Sequence, residues 1–432
     1  MDTIKIGLLG CGTVGSGVTK LLAKNTDEIA LKIGSKLEIK KILVKDLSKK
    51  RDGGLPSDIF TTRADDILED PEIEIVVELI GGIEPAKSYI LKALSQGKNV
   101  VTANKDILAA YGQEIFKLAS EKEKDLMFEG SVGGGIPIIL PLRSSLAGNR
   151  ISRILGIVNG TTNYILTKMS MENREFSEAL TEAQALGYAE ADPSADVEGL
   201  DAARKIAILA SIAFQTSISI DDVYAEGITK ISSFDIIYAR ELGFVIKLLG
   251  VATENVKGIE VRVHPVMLPV THPLASVNDV YNAVFVEGDG VGQAMFFGPG
   301  AGEFPTASSI IGDLMLVAKN IKLGITGKLT ECTFLYDKNV LPIGELISSY
   351  YIRLLVLDQP GVLAKIAGIL AEHKVSIASV LQKRTLDDLA EIVLVTHQVR
   401  EANFSEALNI IKAIPFVKAV DSVIRVDLGG NK

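Results

Sequence analysis

Two groups of opposite charge stand four residues apart in "GLDAARKIAILASIAF": Asp201 and Lys205. The segment is otherwise apolar on nearly every side, which predicts one buried helix over residues 199–214. At about 100° per residue the two share a face that continues through Ile208, Leu209 and Ile212. An ammonium group has a reference pKa of ~10.4 and is an acid at neutral pH, able to protonate a growing alkoxide. Burial lowers that value and a neighbouring carboxylate raises it; the sequence leaves the balance open. The plainer alternative is a structural ion pair, which if exposed contributes only ~0.3–0.5 kcal/mol. Arg204, Ser211 and Gln215 mark a polar flank consistent with that alternative. Just upstream, "GYAEADPSADVEG" (187–199) concentrates Glu190, Asp192, Asp196 and Glu198. Such acids are either solvated loop charges or the seat of a cationic ligand, and a substrate bearing an ammonium group explains them better.

Other proton carriers are scarce. The four histidines, His264, His272, His373 and His397, stand at no metal-ligand spacing from one another or from a cysteine, so zinc is not expected. "YILTK" gives Tyr164 and Lys168 the Tyr-x-x-x-Lys spacing of short-chain dehydrogenases, in which the lysine lowers the tyrosine pKa. That spacing arises often by chance, and here it falls beyond the nucleotide-binding region.

That region announces itself in "GCGTVG", with Gly10, Gly12 and Gly15 following an apolar strand and opening a helix at Thr13 and Val14. Gly10 permits a tight turn, Gly12 lets backbone approach a pyrophosphate, and Gly15 allows helix–strand contact. The helix start supplies unpaired N–H groups and partial positive charge. After the second strand come Lys45, Asp46, Lys49, Lys50 and Arg51. Lys45 and Arg51 belong to a cationic cluster that suits a 2′-phosphate, so NADP(H) is favoured; Asp46 keeps NAD(H) open. In "TANKD" (102–106), Lys105 starts a helix at the carboxyl end of a strand. Helix starts favour negative charge, so a lysine there points to an anion such as a substrate carboxylate; a bystander amine is the alternative.

These residues need elements to hold them. Residues 1–130 alternate short apolar runs with helical patterns, which predicts an α/β doubly wound parallel sheet. Residues 131–302 read as a mixed α+β domain. A helix over 306–321, within the stretch 303–345, is expected to return onto the first domain. Residues 350–432 read βαββαβ, a ferredoxin-like order. With 432 residues, 47% of them hydrophobic, several cores are affordable in material. No apolar run approaches the ~20 residues of a membrane span, and "MDTIKIGLLG" lacks the pattern of a signal peptide. Cys11 and Cys332 make no disulfide framework, so a reducing cytoplasm is expected. A net charge of −9 argues against nucleic acid as partner.

Taken in order, "GLLGCGTVGSGV", "VVELIGG", "TANKDILA", "SVGGGIPII", "NGTTNYIL", "ALGYAEADPSADVEGLDAARK" and "FFGPGAGEFPTAS" resemble homoserine dehydrogenase. The likeness spans both catalytic domains, and "DQPGVLAKIAGILAEHKVSIASV" is similar to an ACT domain. The resemblance implies a Rossmann-type domain, an α+β catalytic and dimerisation domain, and a C-terminal ACT domain. It implies reversible NAD(P)H-dependent reduction of L-aspartate 4-semialdehyde to L-homoserine, on the branch to threonine, methionine and isoleucine.

It also implies roles. Lys205 is the proton donor and acceptor, and Asp201 orients it near the reacting hydroxyl. Glu190 binds the substrate ammonium group, with Tyr188, Asp196 and Thr161 nearby. Lys105 lies between cofactor and substrate, and Gly187 and Gly302 touch the cofactor. Glu129 and the carbonyls of Val132, Gly134 and Ile136 hold a monovalent cation, sodium or potassium; such an all-oxygen set suits a hard ion. Asp358 and Gly361 are the expected effector contacts, for an amino acid such as threonine, unless the ACT unit only pairs subunits. A homodimer or homotetramer is expected. The chain departs from the family at Gly130, where alanine is usual, and at Lys45, where arginine is frequent.

The residues alone lead the same way. A zwitterionic aldehyde needs an anion site, a cation site and an acid, and Lys105, the Glu190 loop and Lys205 supply the three. A non-catalytic sensor of nucleotides and amino acids has no use for that set, whereas a dehydrogenase of another amino-acid aldehyde does.

Overall fold

The computed structural model describes residues 2–49, 55–328, 334–386 and 388–427. Lys50, Arg51 and Cys332 lie outside them. The chain divides into two compact units. One comprises residues 1–154, 204–222 and 282–338, the other 155–203, 223–281 and 339–432.

In the first unit, six apolar runs form one sheet: β1 (Thr3–Leu9), β2 (Lys36–Leu43), β3 (Phe60–Thr61), β4 (Ile73–Glu78), β5 (Asn99–Thr102) and β6 (Leu126–Met127). Every pairing is parallel, and the order is β3-β2-β1-β4-β5-β6. The direction of winding reverses between β1 and β4. In such sheets ligands bind in the crevice beyond the carboxyl ends of those strands. The helix opened by the glycine turn spans Thr13–Lys24. A second helix, Thr26–Ile33, follows it directly and ends on Gly34 in the left-handed conformation (φ +73°). Sequence periodicity does not separate the two.

The returning helix is longer than expected, Glu303–Leu323. It lies so close to the Thr13–Lys24 helix that a Cβ on Gly17 would come 2.6 Å from the Glu303 carbonyl oxygen. Lys20 Nζ pairs with Glu303 Oε1 at 2.7 Å. Its buried face (Ala307, Ile310, Leu314, Val317) shares a core with Leu8, Val18, Val77 and Val101. Removing such apolar area from water is the main force holding the helix there, at roughly 25 cal/mol per Å².

In the second unit, strands run in the order Phe244–Asn255, Gly258–Pro269, Val417–Val426, Ile347–Leu357, Leu389–Thr396, Ile377–Leu386. The last four, with helices Val362–Glu372 and Glu401–Lys412, make the βαββαβ unit. It has its own core, in which Tyr350 stacks on Phe404 at 3.8 Å between ring centroids. Yet its final strand also pairs in parallel with Gly258–Pro269, Val266 opposite Arg425. The joint carries buried charge. Arg353 meets Asp235 at 2.9 Å and Glu391 at 3.0 Å; Arg425 meets Glu401 at 2.8 Å and Glu226 at 2.9 Å. Buried pairs like these are costly to break, because one ion is left uncompensated. Among the described residues no helix is long and apolar enough to cross a membrane.

Candidate active site

Gly10 is at φ +103°, and a Cβ there would lie 2.8 Å from the Leu79 carbonyl oxygen. A Cβ on Gly15 would lie 2.5 Å from the Gly10 carbonyl oxygen. Gly12 caps the helix with no side-chain bond, so the first-turn N–H groups of Thr13 and Val14 have no capping side chain to satisfy them. Beside this turn is a cavity of about 420 Å³, lined by Gly10, Gly12, Val44, Lys45, Asp46 and Lys49 among others. Asp46 Oδ1 accepts the Ser48 N–H at 2.8 Å and its hydroxyl at 2.7 Å, which turns the loop on itself. Arg51, an expected cofactor contact, falls outside the described residues. Gly302 caps the returning helix at φ +128°, in the same unit.

At the carboxyl ends of β4 and β5, Glu78 is fully buried. It accepts the Ile80 N–H at 2.8 Å and the Thr102 hydroxyl at 2.7 Å. Thr102 in turn accepts the Asn104 N–H at 3.0 Å. Asn104 caps the helix Lys105–Glu121 through the Ile107 N–H, and its amide donates to Gly82 O at 2.8 Å. Half-buried Lys105 is thereby fixed as the first helical residue beyond β5. Sequence reasoning missed Glu78 and Asn104. The available signals were an acid closing an apolar strand run and an Asn immediately before a helix.

The helix Leu200–Phe214 carries Asp201 in the second unit and Lys205 in the first. Lys205 is half-buried. Arg204 Nε pairs with Asp106 Oδ1 at 2.9 Å, so the neighbours of Lys205 and Lys105 touch, at the carboxyl edge of the parallel sheet.

Also in the first unit, Glu129 is buried and its carboxylate accepts the N–H groups of Ile138 (2.5 Å), Ile139 (2.8 Å) and Leu140 (2.7 Å). Burial pushes its pKa up, opposed by those donors and by Arg143. Asp313 accepts the Glu129 N–H at 2.9 Å, and burial drives its pKa far upward. Val132 and Ile136 are buried, and the Gly134 carbonyl accepts the Ser309 hydroxyl at 2.7 Å.

In the second unit, Asp201 is 7% exposed, and Asp201 and Asp196 share one donor: Asn159 Nδ2 reaches Asp196 Oδ1 at 2.7 Å and Asp201 Oδ2 at 2.8 Å. Thr161 donates to the Tyr188 carbonyl at 2.6 Å. Tyr188 and Glu190 are exposed, and Gly187 is exposed at φ +76°. Asp192 is held below the usual carboxylate range by the hydroxyl and N–H of Ser194. Gly227 fits behind the loop only because it lacks a Cβ, which would fall 2.0 Å from the Val197 carbonyl oxygen.

The Tyr164–Lys168 pair is differently engaged. Tyr164 donates to Glu182 at 2.6 Å, and burial followed by that carboxylate pushes its pKa up to about 12. Lys168 bonds Glu172 at 2.5 Å. A phenol so raised is not activated by its lysine. In the ACT unit, Gly361 is at φ +89° at the start of its helix, and Asp358 and Gly361 are both exposed.

A doubly wound parallel sheet whose first strand leads through a glycine turn into a helix has the architecture of a dinucleotide-binding domain. Comparisons with known proteins agree and narrow it. Residues 10–129 match the model of the homoserine dehydrogenase NAD binding domain, 137–315 that of homoserine dehydrogenase, and 350–416 that of the ACT domain. The chain is 46% identical to a homoserine dehydrogenase of Bacillus subtilis, covering 100% of both, and 48% identical to one of Synechocystis, covering 98% and 99%. A crystal structure of the enzyme from Thiobacillus denitrificans matches with a TM-score of 0.94 at 42% identity, covering 99% of both chains. A hyperthermophilic archaeal homoserine dehydrogenase in complex with NADPH matches with a TM-score of 0.62 at 27% identity, covering 74% of this chain and 98% of that one. This chain belongs to the homoserine dehydrogenase family.

Proposed function

We propose that Lys205 donates the proton that completes aldehyde reduction, with Asp201 one turn away orienting it. The reading rests chiefly on the Arg204–Asp106 ion pair at 2.9 Å, which ties the Lys205 turn to the helix start bearing Lys105. A nicotinamide, when bound, would supply the hydride for the aldehyde carbon. Lys205 Nζ gives a proton to the aldehyde oxygen as it becomes an alkoxide, and regains one from solvent; oxidation of homoserine reverses both transfers. Lys105 offers the substrate carboxylate a cation. Glu190, with Tyr188, Asp196 and Thr161, takes the substrate ammonium group. Gly187 and Gly302, at positive φ, let backbone come close to the cofactor.

NADPH is the preferred cofactor in this reading, because Lys45 and Lys49 line the cavity beside the glycine turn and Asp46 is engaged with Ser48. A monovalent cation fits beside Glu129. Glu129 and the carbonyls of Val132, Gly134 and Ile136 would hold it, an all-oxygen set of the kind a hard cation takes. The turn Asp358–Gly361 is the proposed contact for an amino-acid effector such as threonine. Assembly as a homodimer or homotetramer, in a reducing cytoplasm, completes the reading.

The test follows cofactor absorbance with aspartate semialdehyde, first with NADPH and then with NADH. The expected result is aldehyde-dependent oxidation with a KM for NADPH several-fold below that for NADH, and a Lys45→Ala variant in which the gap narrows. Equal KM values, unmoved by Lys45→Ala, would contradict the phosphate reading. No aldehyde-dependent oxidation of either cofactor would contradict the whole.

A further inference from the structure

Asn159 bridges two acids, Asp196 and Asp201, and carries no charge. Its amide nitrogen has two hydrogens, and each is used: Asp196 Oδ1 lies at 2.7 Å and Asp201 Oδ2 at 2.8 Å. One donor atom therefore holds two carboxylate oxygens no more than about 5.5 Å apart. The amide cannot turn over. Its Oδ1 accepts the Thr162 N–H and the Thr162 hydroxyl, each at 2.9 Å, as the cap of the helix Gly160–Glu172. A flipped amide would aim its oxygen at both carboxylates and its NH₂ at an N–H donor. Asn159 is 5% exposed and Thr162 1%, so water does little to relieve such a mismatch.

We infer that Asn159 is a positioning residue that keeps Asp196 and Asp201 close together, so that the pair of carboxylates serves cationic groups of the substrate and the proton-donating amine. A lysine or arginine at this place would hold the two acids as well, but would cancel the charge that the site needs. A neutral double donor holds them without cancelling it. The inference deepens the proposed function and rests on it, since it takes Asp201 and Asp196 as parts of the substrate site.

Asn159→Asp tests this directly. Aspartate caps a helix as well as asparagine does, so the Gly160–Glu172 helix keeps its start, while the two-hydrogen donor becomes a third carboxylate. The measurement is homoserine oxidation with NADP⁺ across pH 5.5–9.5. The expected result is a KM for homoserine raised at least about tenfold near neutral pH, and an unchanged KM for NADP⁺. The acid limb of kcat/KM should move upward by about one pH unit, because added like charge makes the acids protonate earlier. Asn159→Ser, which also caps but cannot span both acids, should move the same two readouts in the same direction by less, and it serves if the first variant does not fold. Loss of a purely structural contact would lower thermal stability while leaving the acid limb and the ratio of the two KM values alone; that outcome overturns the inference. Asp201→Asn separates the two levels. If it loses turnover while both Asn159 variants keep the wild-type pH profile, the clamp is wrong and the site stands. If Asp201→Asn itself is unaffected, the reading of the site fails and takes the clamp with it.

Discussion

Arg204 Nε lies 2.9 Å from Asp106 Oδ1, which joins the residue before Lys205 to the residue after Lys105. Both side chains are about one-third exposed, 30% and 32%. As a stability element the pair is therefore weak, ~0.2–1 kcal/mol. Its value is geometric, since it fixes the turn that carries the proposed acid. Arg204→Gln should lower the thermal midpoint by no more than about 3 °C, yet reduce kcat about tenfold, in line with the rate cost of small misplacements. Turnover within twofold of wild type would show that the pair does not position Lys205.

Tyr164 and Lys168 have the spacing of a catalytic pair and the bonding of a structural one. Tyr164 donates to Glu182 and is pushed up to about 12, so it stays a neutral donor throughout the working range. Tyr164→Phe removes one partly buried hydrogen bond, worth about 1 kcal/mol. Steady-state assays should find kcat within about twofold of wild type. A loss beyond tenfold with an unchanged KM would return the tyrosine to the mechanism.

Lys247 is 3% exposed and donates to Val277 O at 2.5 Å and to the side chains of Asn163 and Asn278, each at 3.1 Å. Burial lowers its pKa from 10.5 to about 8, against the pull of Asp279. Between those two values the unfolded chain binds more protons at this amine than the folded one, so stability rises with pH through that window. Below about pH 8 the full penalty remains, about 3 kcal/mol. Lys247→Met removes the titration. Urea unfolding of both proteins at pH 7.5 and 10 should show wild type gaining on the variant by roughly 2 kcal/mol as pH rises. Parallel dependences on pH would rule out a titrating buried amine.

The parts of this structure that local pattern dictates were legible. The glycine turn, the Leu200–Phe214 helix, the start of the Lys105 helix and the βαββαβ order all follow from periodicity, caps and turn residues. What was hidden depends on residues far apart in the chain. Glu78 matters through Thr102, 24 positions on, and Asn159 through acids 37 and 42 positions on. Arg353 and Arg425 look like surface charges in a one-dimensional reading, yet they are buried where the ACT strands meet Asp235 and Glu226. Nothing in the apolar alternation of Val417–Val426 says that it will pair with Gly258–Pro269 as well as with Ile347–Leu357. Such pairings are settled by the complementarity of whole faces, which no short window contains.

The central claim concerns one amine, and one substitution tests it. Lys205→Ala, measured by initial rates of aspartate semialdehyde reduction with saturating NADPH, should lose at least ~10²-fold in kcat while the KM for the aldehyde changes far less, as removal of a positioned acid does. Turnover close to wild type in that variant would mean that the proton comes from elsewhere.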